Sequence, residues 1–203
     1  MGCARMKKLP RAFYDRDTVQ VARDLLGQHI VRVLPDGTQL ICRITETEAY
    51  VGAIDKACHA YGYRRTPRTE TLFARPGTAY IYLIYGMYHC LNFVTEREGE
   101  PSAVLIRGAA PVKNADIIAE NRFGRKYEDM TTYQRKQFLN GPGKLCMGLS
   151  LTRAHNGLDL LGDELFLSPG TPPPLEQIRV GKRIGIDYAQ ESVDFPWRFW
   201  LED

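Results

Sequence analysis

Residues 76–94 read PGTAYIYLIYGMYHCLNFV, and this stretch predicts a β-hairpin. Residues 78–84 and 90–94 are rich in β-branched and aromatic side chains, which favour strands. Between them, Tyr85-Gly86-Met87-Tyr88 is predicted to turn, because glycine accepts the backbone angles that tight turns require. A bulky aromatic residue is unusual in a turn. Tyr85 is therefore expected to be an exposed ring that meets a partner.

Strand and helix signals on either side of this hairpin predict that it belongs to an α+β domain. Strands are predicted at 29–33 and 38–46, joined by Pro35-Asp36-Gly37, and at 102–107, 164–167, 177–180 and 197–201. Helices are predicted from the Asp17 cap to Gly27, as one turn from Asp55 through residues 58–59, and at 112–121, 131–139 and 142–149. Several hairpins with separate helices predict an antiparallel or mixed sheet. Residues 1–10 are predicted to be a flexible N-terminus and residues 11–203 a single domain.

Composition excludes several classes of protein. The chain has 203 residues, 44% hydrophobic and 25% charged, which is typical of a globular domain and not of a disordered or fibrous one. No apolar run approaches the roughly 20 residues that a membrane span needs. Five scattered cysteines (3, 42, 58, 90 and 146) indicate reduced thiols in an intracellular protein. The net charge of +3 permits a polyanionic partner without requiring one.

Aromatic and basic residues are concentrated in one window. Seven of the eleven tyrosines lie between positions 50 and 88, and Tyr80 and Tyr82 share one face of their strand. The same window contains Arg64, Arg65 and Arg68. Arginines beside aromatic planes are typical of surfaces that bind phosphates and bases. Alternatively, the strand tyrosines are core residues and the arginines a solvated face.

Other residues offer chemistry with competing interpretations. Period two places Glu46 and Glu48 on one side of a strand, where a carboxylate could activate water, or could simply pair with an arginine. Gly141-Pro142-Gly143-Lys144 lacks the P-loop spacing, and is either a one-phosphate site at a helix start or an ordinary turn. The pairs Cys58-His59 and His89-Cys90 do not have the spacing of zinc ligands, so no metal is expected.

Six motifs follow one another in order between residues 11 and 201. They are Glu46-Thr47-Glu48-Ala49-Tyr50 with His59 nine residues on, Arg65-Thr66-Pro67-Arg68, the hairpin 76–88 with Asn92, Val104-Leu105-Ile106-Arg107, Gly141-Pro142-Gly143-Lys144-Leu145, and Arg183-Ile184-Gly185-Ile186. This order resembles the alkyladenine (3-methyladenine or methylpurine) DNA glycosylase family. The resemblance implies one mixed α/β domain with a curved antiparallel sheet, surrounding helices and a protruding hairpin that inserts into DNA. It also implies that neither metal nor organic cofactor is used.

The resemblance implies a reaction as well. The expected enzyme flips alkylated or deaminated purines out of duplex DNA, among them 3-methyladenine, 7-methylguanine, hypoxanthine and ethenoadenine, and hydrolyses the N-glycosidic bond. It would be monofunctional, leaving an intact abasic site that initiates base-excision repair. Glu48 is expected to deprotonate the attacking water, and Arg107 to hold the phosphate of the flipped nucleotide. Tyr85 would fill the gap in the DNA stack.

The same resemblance assigns the base pocket. Tyr50 is expected to stack on one face of the base, with His59 and Tyr82 on the other, while Asn92 rejects the 2-amino group of guanine. Cys58 departs from the alanine usual in the family, which would reshape the slot slightly. Arg64, Arg65, Arg68 and Lys144 are expected to contact the DNA backbone.

Two other classes of function remain open from the sequence. One is a non-catalytic module that binds damaged DNA or RNA through the same surface. The other is a nucleoside hydrolase, which would need no arginine-rich loop. The glycosylase interpretation predicts a soluble intracellular monomer in the cytoplasm or nucleoid of a prokaryote, or the nucleus of a eukaryote. Its partner would be double-stranded DNA with damaged purines, and it would bind no membrane.

Overall fold

An antiparallel sheet of eight strands organises residues 6–202, the part of the chain that the computed structural model describes. The strands are β1 (His29–Val33), β2 (Gln39–Tyr50), β3 (Ala79–Ile84), β4 (Tyr88–Thr95), β5 (Ser102–Lys113), β6 (Leu165–Ser168), β7 (Ile178–Gly181) and β8 (Arg198–Leu201). They follow the order β3-β4-β5-β2-β1-β6, and β8 pairs with both β2 and β7. All these pairings are antiparallel, which confirms the α+β class and decides against a mixed sheet.

Five short helices accompany the sheet in the described part of the chain. They are α1 (Arg11–Tyr14), α2 (Thr18–Asp24), α3 (Ala115–Phe123), α4 (Thr132–Lys136) and α5 (Pro142–Gly148). Asp17 caps α2 as predicted, because its carboxylate accepts the Gln20 backbone N–H at 2.8 Å. Helix α2 contacts β2 and β5, and α5 contacts β4 and β5. These helices thus cover one face of the sheet.

Strand periodicity separates the two faces of the sheet. On β3, Ala79 and Ile81 belong to the main hydrophobic core beneath the helices. Tyr80 and Tyr82 point the other way, into a smaller cluster that also contains Cys58. The prediction that the two tyrosines share a face is confirmed, since their ring centroids are 5.4 Å apart. This second face carries the candidate site.

Several predicted helices and strands have other boundaries, among them the strand predicted at 102–107, which continues to Lys113. The helix predicted at 112–121 begins only at Ala115, because β5 stays paired with β2 as far as Lys113 and Asn114 then turns the chain with a φ of 58°. The helix predicted at 131–139 ends at Lys136. The strand predicted at 38–46 continues to Tyr50, because β5 and β8 pair with it on its two edges.

The helical turn predicted to follow Asp55 is wrong. A short 3-10 turn, Gly52–Ile54, precedes that residue, and no helix includes residues 55–59. The Asp55 carboxylate does accept two nearby N–H groups, those of Ala57 at 3.0 Å and Val51 at 3.2 Å, but it is fully buried against the Arg183 guanidinium. An ion pair between residues this far apart in sequence overrides the local capping preference.

The ends of the chain are described only in part. Residues 1–5 and 203 lie outside the described residues, so Cys3 and half of the predicted flexible terminus do too. Within that predicted terminus, Leu9 is buried and donates its N–H to the Leu167 carbonyl at 2.9 Å. Cys42, Cys58, Cys90 and Cys146 are buried free thiols. No helix in residues 6–202 is long and apolar enough to cross a bilayer.

At Gly77, just before the hairpin, the backbone lies close to the Tyr14 ring. Its φ is +78°, and a β-carbon there would lie 2.9 Å from the Tyr14 ring. We expect Gly77→Ala to lower the free energy of unfolding by about 2 kcal/mol, from backbone strain and overlap together. Urea denaturation measures this. The matched control is Gly37→Ala, where φ is +84° but open space surrounds the position, and equal losses in both variants would contradict the role of Tyr14.

Candidate active site

A cleft of about 830 Å³ opens on the face of the sheet that carries Tyr80 and Tyr82. Its lining includes most of the residues that the sequence singled out: Tyr50, His59, Tyr82, Tyr85, Asn92, Arg107 and Lys144. Register explains how they meet. Tyr80 pairs with Asn92, Asn92 with Leu105, and Leu105 with Glu48, so one row crosses four strands. Residues far apart in sequence therefore line one wall.

The Glu48 carboxylate ends that row, but it is fully buried and is not part of the cleft lining; it contacts Tyr50, Arg107 and Ile184, which are. Oε1 accepts the Ile184 backbone N–H at 2.8 Å, and Oε2 accepts the Tyr50 hydroxyl at 2.8 Å. Burial raises the pKa of Glu48, while the Arg107 charge and these two hydrogen bonds lower it only in part. A carboxylate with a raised pKa is a stronger proton acceptor than an exposed one.

Arg107 connects the two glutamates that the sequence placed on one side of β2. Its Nε lies 3.2 Å from Glu46 Oε1 and 3.5 Å from Glu48 Oε1. Glu46 is also bonded to Arg198 Nε at 2.6 Å. Glu46 is therefore held between two arginines, as the pairing interpretation expects, whereas Glu48 shares Arg107 with it.

Three aromatic rings form one side of the cleft. The His59 ring stands edge-on to Tyr82, with 4.6 Å between centroids and 77° between planes, and its Nδ1 lies 3.1 Å from the Tyr80 hydroxyl. Burial, with a smaller contribution from Arg68, lowers the pKa of His59 to about 4. The imidazole is thus neutral at physiological pH, and it does not repel a cationic base.

Asn92 and Cys58 shape the floor of the cleft. The Asn92 amide nitrogen donates to the carbonyls of Tyr80 and Cys90, at 3.1 and 3.2 Å. Both amide hydrogens are used, so the orientation of the side chain is fixed. The Cys58 thiol contacts the Pro101 carbonyl at 3.5 Å, and burial raises its pKa to about 12. A thiol this weakly acidic is inert at neutral pH.

The β3–β4 hairpin ends in an exposed and strained tyrosine. Tyr85 is 82% exposed and has a φ of 54°, and Gly86 follows with a φ of 70°. Bulky residues rarely adopt positive φ, at a cost of about 1–2 kcal/mol. Leu83, Met87 and Tyr88 are also exposed around it. The tip is therefore apolar and largely exposed.

The predicted DNA-backbone residues differ in how free their charges are. Arg64 is exposed, whereas Arg65 makes a two-bond pair with Glu70, at 2.8 and 2.6 Å. The Arg68 guanidinium lies 5.4 Å from the Tyr82 ring centroid, at the cleft. The Lys144 amine bonds to Asn140 Oδ1 at 2.8 Å and to Gln137. No cluster of metal-ligating side chains occurs in the described part of the chain.

Known proteins of one family match nearly the whole chain. The family model described as Methylpurine-DNA glycosylase (MPG) matches residues 12–203. The chain belongs to this family. A relative from Alkaliphilus oremlandii is 47% identical over 97% of this chain and 96% of its own length, and one from Desulfitobacterium hafniense is 48% identical over 98% and 97%. Both carry the name "Putative 3-methyladenine DNA glycosylase". The family places this methylpurine-DNA glycosylase homologue among DNA-repair hydrolases of N-glycosyl bonds.

The sequence alone assigned no role to Ile184 or Arg183, although Ile184 binds Glu48. The Ile184 N–H that binds it lies 136 positions away, and Arg183 beside it pairs with Asp55. The motif Arg183-Ile184-Gly185-Ile186 was visible as part of the family resemblance. No local spacing connects it with Glu48, because the contact arises only when the chain after β7 returns to the cleft.

Proposed function

We propose that this methylpurine-DNA glycosylase homologue flips an alkylated or deaminated purine from duplex DNA into the cleft and hydrolyses its N-glycosidic bond. The observation that carries the proposal is the Glu48 carboxylate, which is buried with a raised pKa and is hydrogen-bonded to Tyr50 and Ile184 in the lining of an aromatic cleft. A carboxylate oxygen can accept two hydrogen bonds, and Oε2 receives one, from Tyr50, among the described residues. A water bound at this oxygen would lose its proton to Glu48 and attack C1′.

The surrounding residues have complementary roles in the proposal. The base stacks between Tyr50 on one side and the His59–Tyr82 pair on the other. These neutral, electron-rich rings attract a cationic purine. The fixed amide of Asn92 rejects the 2-amino group of guanine, and Arg107 holds the phosphate of the flipped nucleotide. Because Arg107 also lies near Glu48, it links DNA binding to the carboxylate.

We further propose hydrolysis without strand cleavage, by a monomer in the compartment that contains the DNA. The cleft lysine, Lys144, has its amine bonded to Asn140 and Gln137, which argues against attack by this amine on the sugar. Arg64, Arg65, Arg68 and Lys144 contact the DNA backbone in this proposal. For Arg65 this requires that a phosphate replace the Glu70 carboxylate.

Single-turnover release of hypoxanthine and of 3-methyladenine from duplex DNA, with chelator present, tests the proposal. We expect both bases to be released, the abasic strand to stay intact, and affinity for DNA to fall steeply as salt rises. Release of 3-methyladenine alone would restrict the substrates to labile cationic bases. Tight lesion binding without release would indicate a damage-binding module, and salt-independent cleavage of free nucleosides would indicate a nucleoside hydrolase.

A further inference from the structure

A buried ion pair lies next to Tyr50 and Ile184 in the cleft lining and belongs to none of the proposed catalytic contacts. The side chains of Asp55 and Arg183 are both completely enclosed, and the guanidinium donates to both carboxylate oxygens. Isolating such a pair from water costs about as much as the attraction returns, so it is weak evidence of a device for stability. Its position suggests a different purpose.

Arg183 connects the end of β2 with the segment that carries Ile184. Its guanidinium lies over the Tyr50 ring, 4.7 Å from the centroid, and over the Trp197 ring at 5.2 Å. It also donates to the Ala49 carbonyl at 2.8 Å, directly before Tyr50. The next residue in the chain, Ile184, supplies the N–H that binds Glu48.

Asp55 connects Arg183 to the residue that follows Tyr50. One carboxylate oxygen accepts the Val51 N–H at 3.2 Å, directly after Tyr50, while both oxygens hold Arg183. The residues around Tyr50 and the segment carrying Ile184 are therefore joined at a single planar guanidinium. Lysine has neither the fork nor the flat face that these contacts use.

We propose that Arg183, held by Asp55, is a positioning residue that fixes the Tyr50 ring and the Ile184 N–H and thereby orients Glu48. Its part in catalysis rests on the proposed function. In Arg183→Lys the Ile184 N–H is expected to drift from Glu48, which removes a hydrogen bond to the ionised carboxylate. The Tyr50 hydroxyl, whose ring loses the guanidinium, is expected to bind Glu48 less well, while the other groups that face Glu48, namely Arg107, Glu46 and the Cys90 thiol, stay unchanged.

Carbon-13 NMR titration of the Glu48 side-chain carboxyl tests the proposal in the intact protein. In Arg183→Lys we expect the titration midpoint to move about one pH unit higher, because the ionised form loses a donor. Single-turnover excision at neutral pH should fall about 100-fold, as expected for a misplaced reacting group. Asp55→Asn, which keeps the shape of the side chain, should move both quantities in the same direction by less.

The matched control is Arg32→Lys, at another buried arginine bonded to Glu164 and His155, none of which lines the cleft. It should lower the melting temperature without moving the Glu48 midpoint. If Arg183→Lys and Asp55→Asn lower stability and rate but leave the midpoint in place, the pair is merely structural and the proposal fails. A shifted midpoint in a protein whose wild type releases no base would instead refute the proposed function and leave the positioning role standing.

Discussion

Glu48→Gln is expected to bind DNA containing a damaged purine as the wild type does and to release the base at least about 10³-fold more slowly. Glutamine keeps the shape of the side chain, and its amide oxygen still accepts the Ile184 N–H. It has no basic site for a proton from water and no charge to favour a positive sugar in the transition state. Single-turnover release of hypoxanthine, with affinity measured separately, separates chemistry from binding.

Two further glutamate-to-glutamine substitutions serve as controls for this experiment. Glu164→Gln removes a carboxylate of comparable size outside the cleft, where it pairs with Arg32, and should leave release unchanged. Glu46→Gln removes the other carboxylate near Arg107 and should slow release much less than Glu48→Gln does, since Glu46 is already held between two arginines. If Glu46→Gln lost base release and Glu48→Gln retained it, the general base would be Glu46 and the assignment to Glu48 would be wrong.

Local sequence patterns were sufficient for the scaffold of this site. Alternation along β3 predicted that Tyr80 and Tyr82 share a face, and period two on β2 placed Glu46 and Glu48 on one side, where Arg107 reaches both. The Asp17 cap was also predicted correctly, because capping depends only on neighbouring residues. Such properties follow from the backbone geometry of a few consecutive positions.

Sequence patterns failed where distant segments decide the structure. Asp55 has the local character of a helix cap, but pairing with Arg183 draws it into the interior. The strand predicted to end at residue 46 continues because β8, from the end of the chain, pairs with Glu46, Thr47 and Glu48. The enclosure of Glu48 has the same origin, since its Ile184 contact depends on a loop that no nearby residue specifies.

Tyr85→Ser is expected to weaken binding to DNA with a damaged purine about 10–100-fold and to change binding to undamaged duplex less than about 3-fold. An inserted ring restores stacking only where a nucleotide has left the helix, so undamaged DNA gains little from it. Fluorescence anisotropy on matched duplexes with and without hypoxanthine measures both affinities. Tyr133→Ser, at another exposed tyrosine on α4, is the control and should change neither.

The strain at Tyr85 makes this prediction sharper. Because its φ of 54° suits glycine far better than tyrosine, Tyr85→Gly should leave the melting temperature unchanged or higher while weakening lesion binding as much as Tyr85→Ser does. A fold that required the ring would instead lose stability along with affinity. Equal weakening on damaged and undamaged DNA would contradict the wedge role and indicate a general contact with the duplex. A strained backbone that the fold itself does not need is expected at Tyr85 if its side chain serves to insert into DNA.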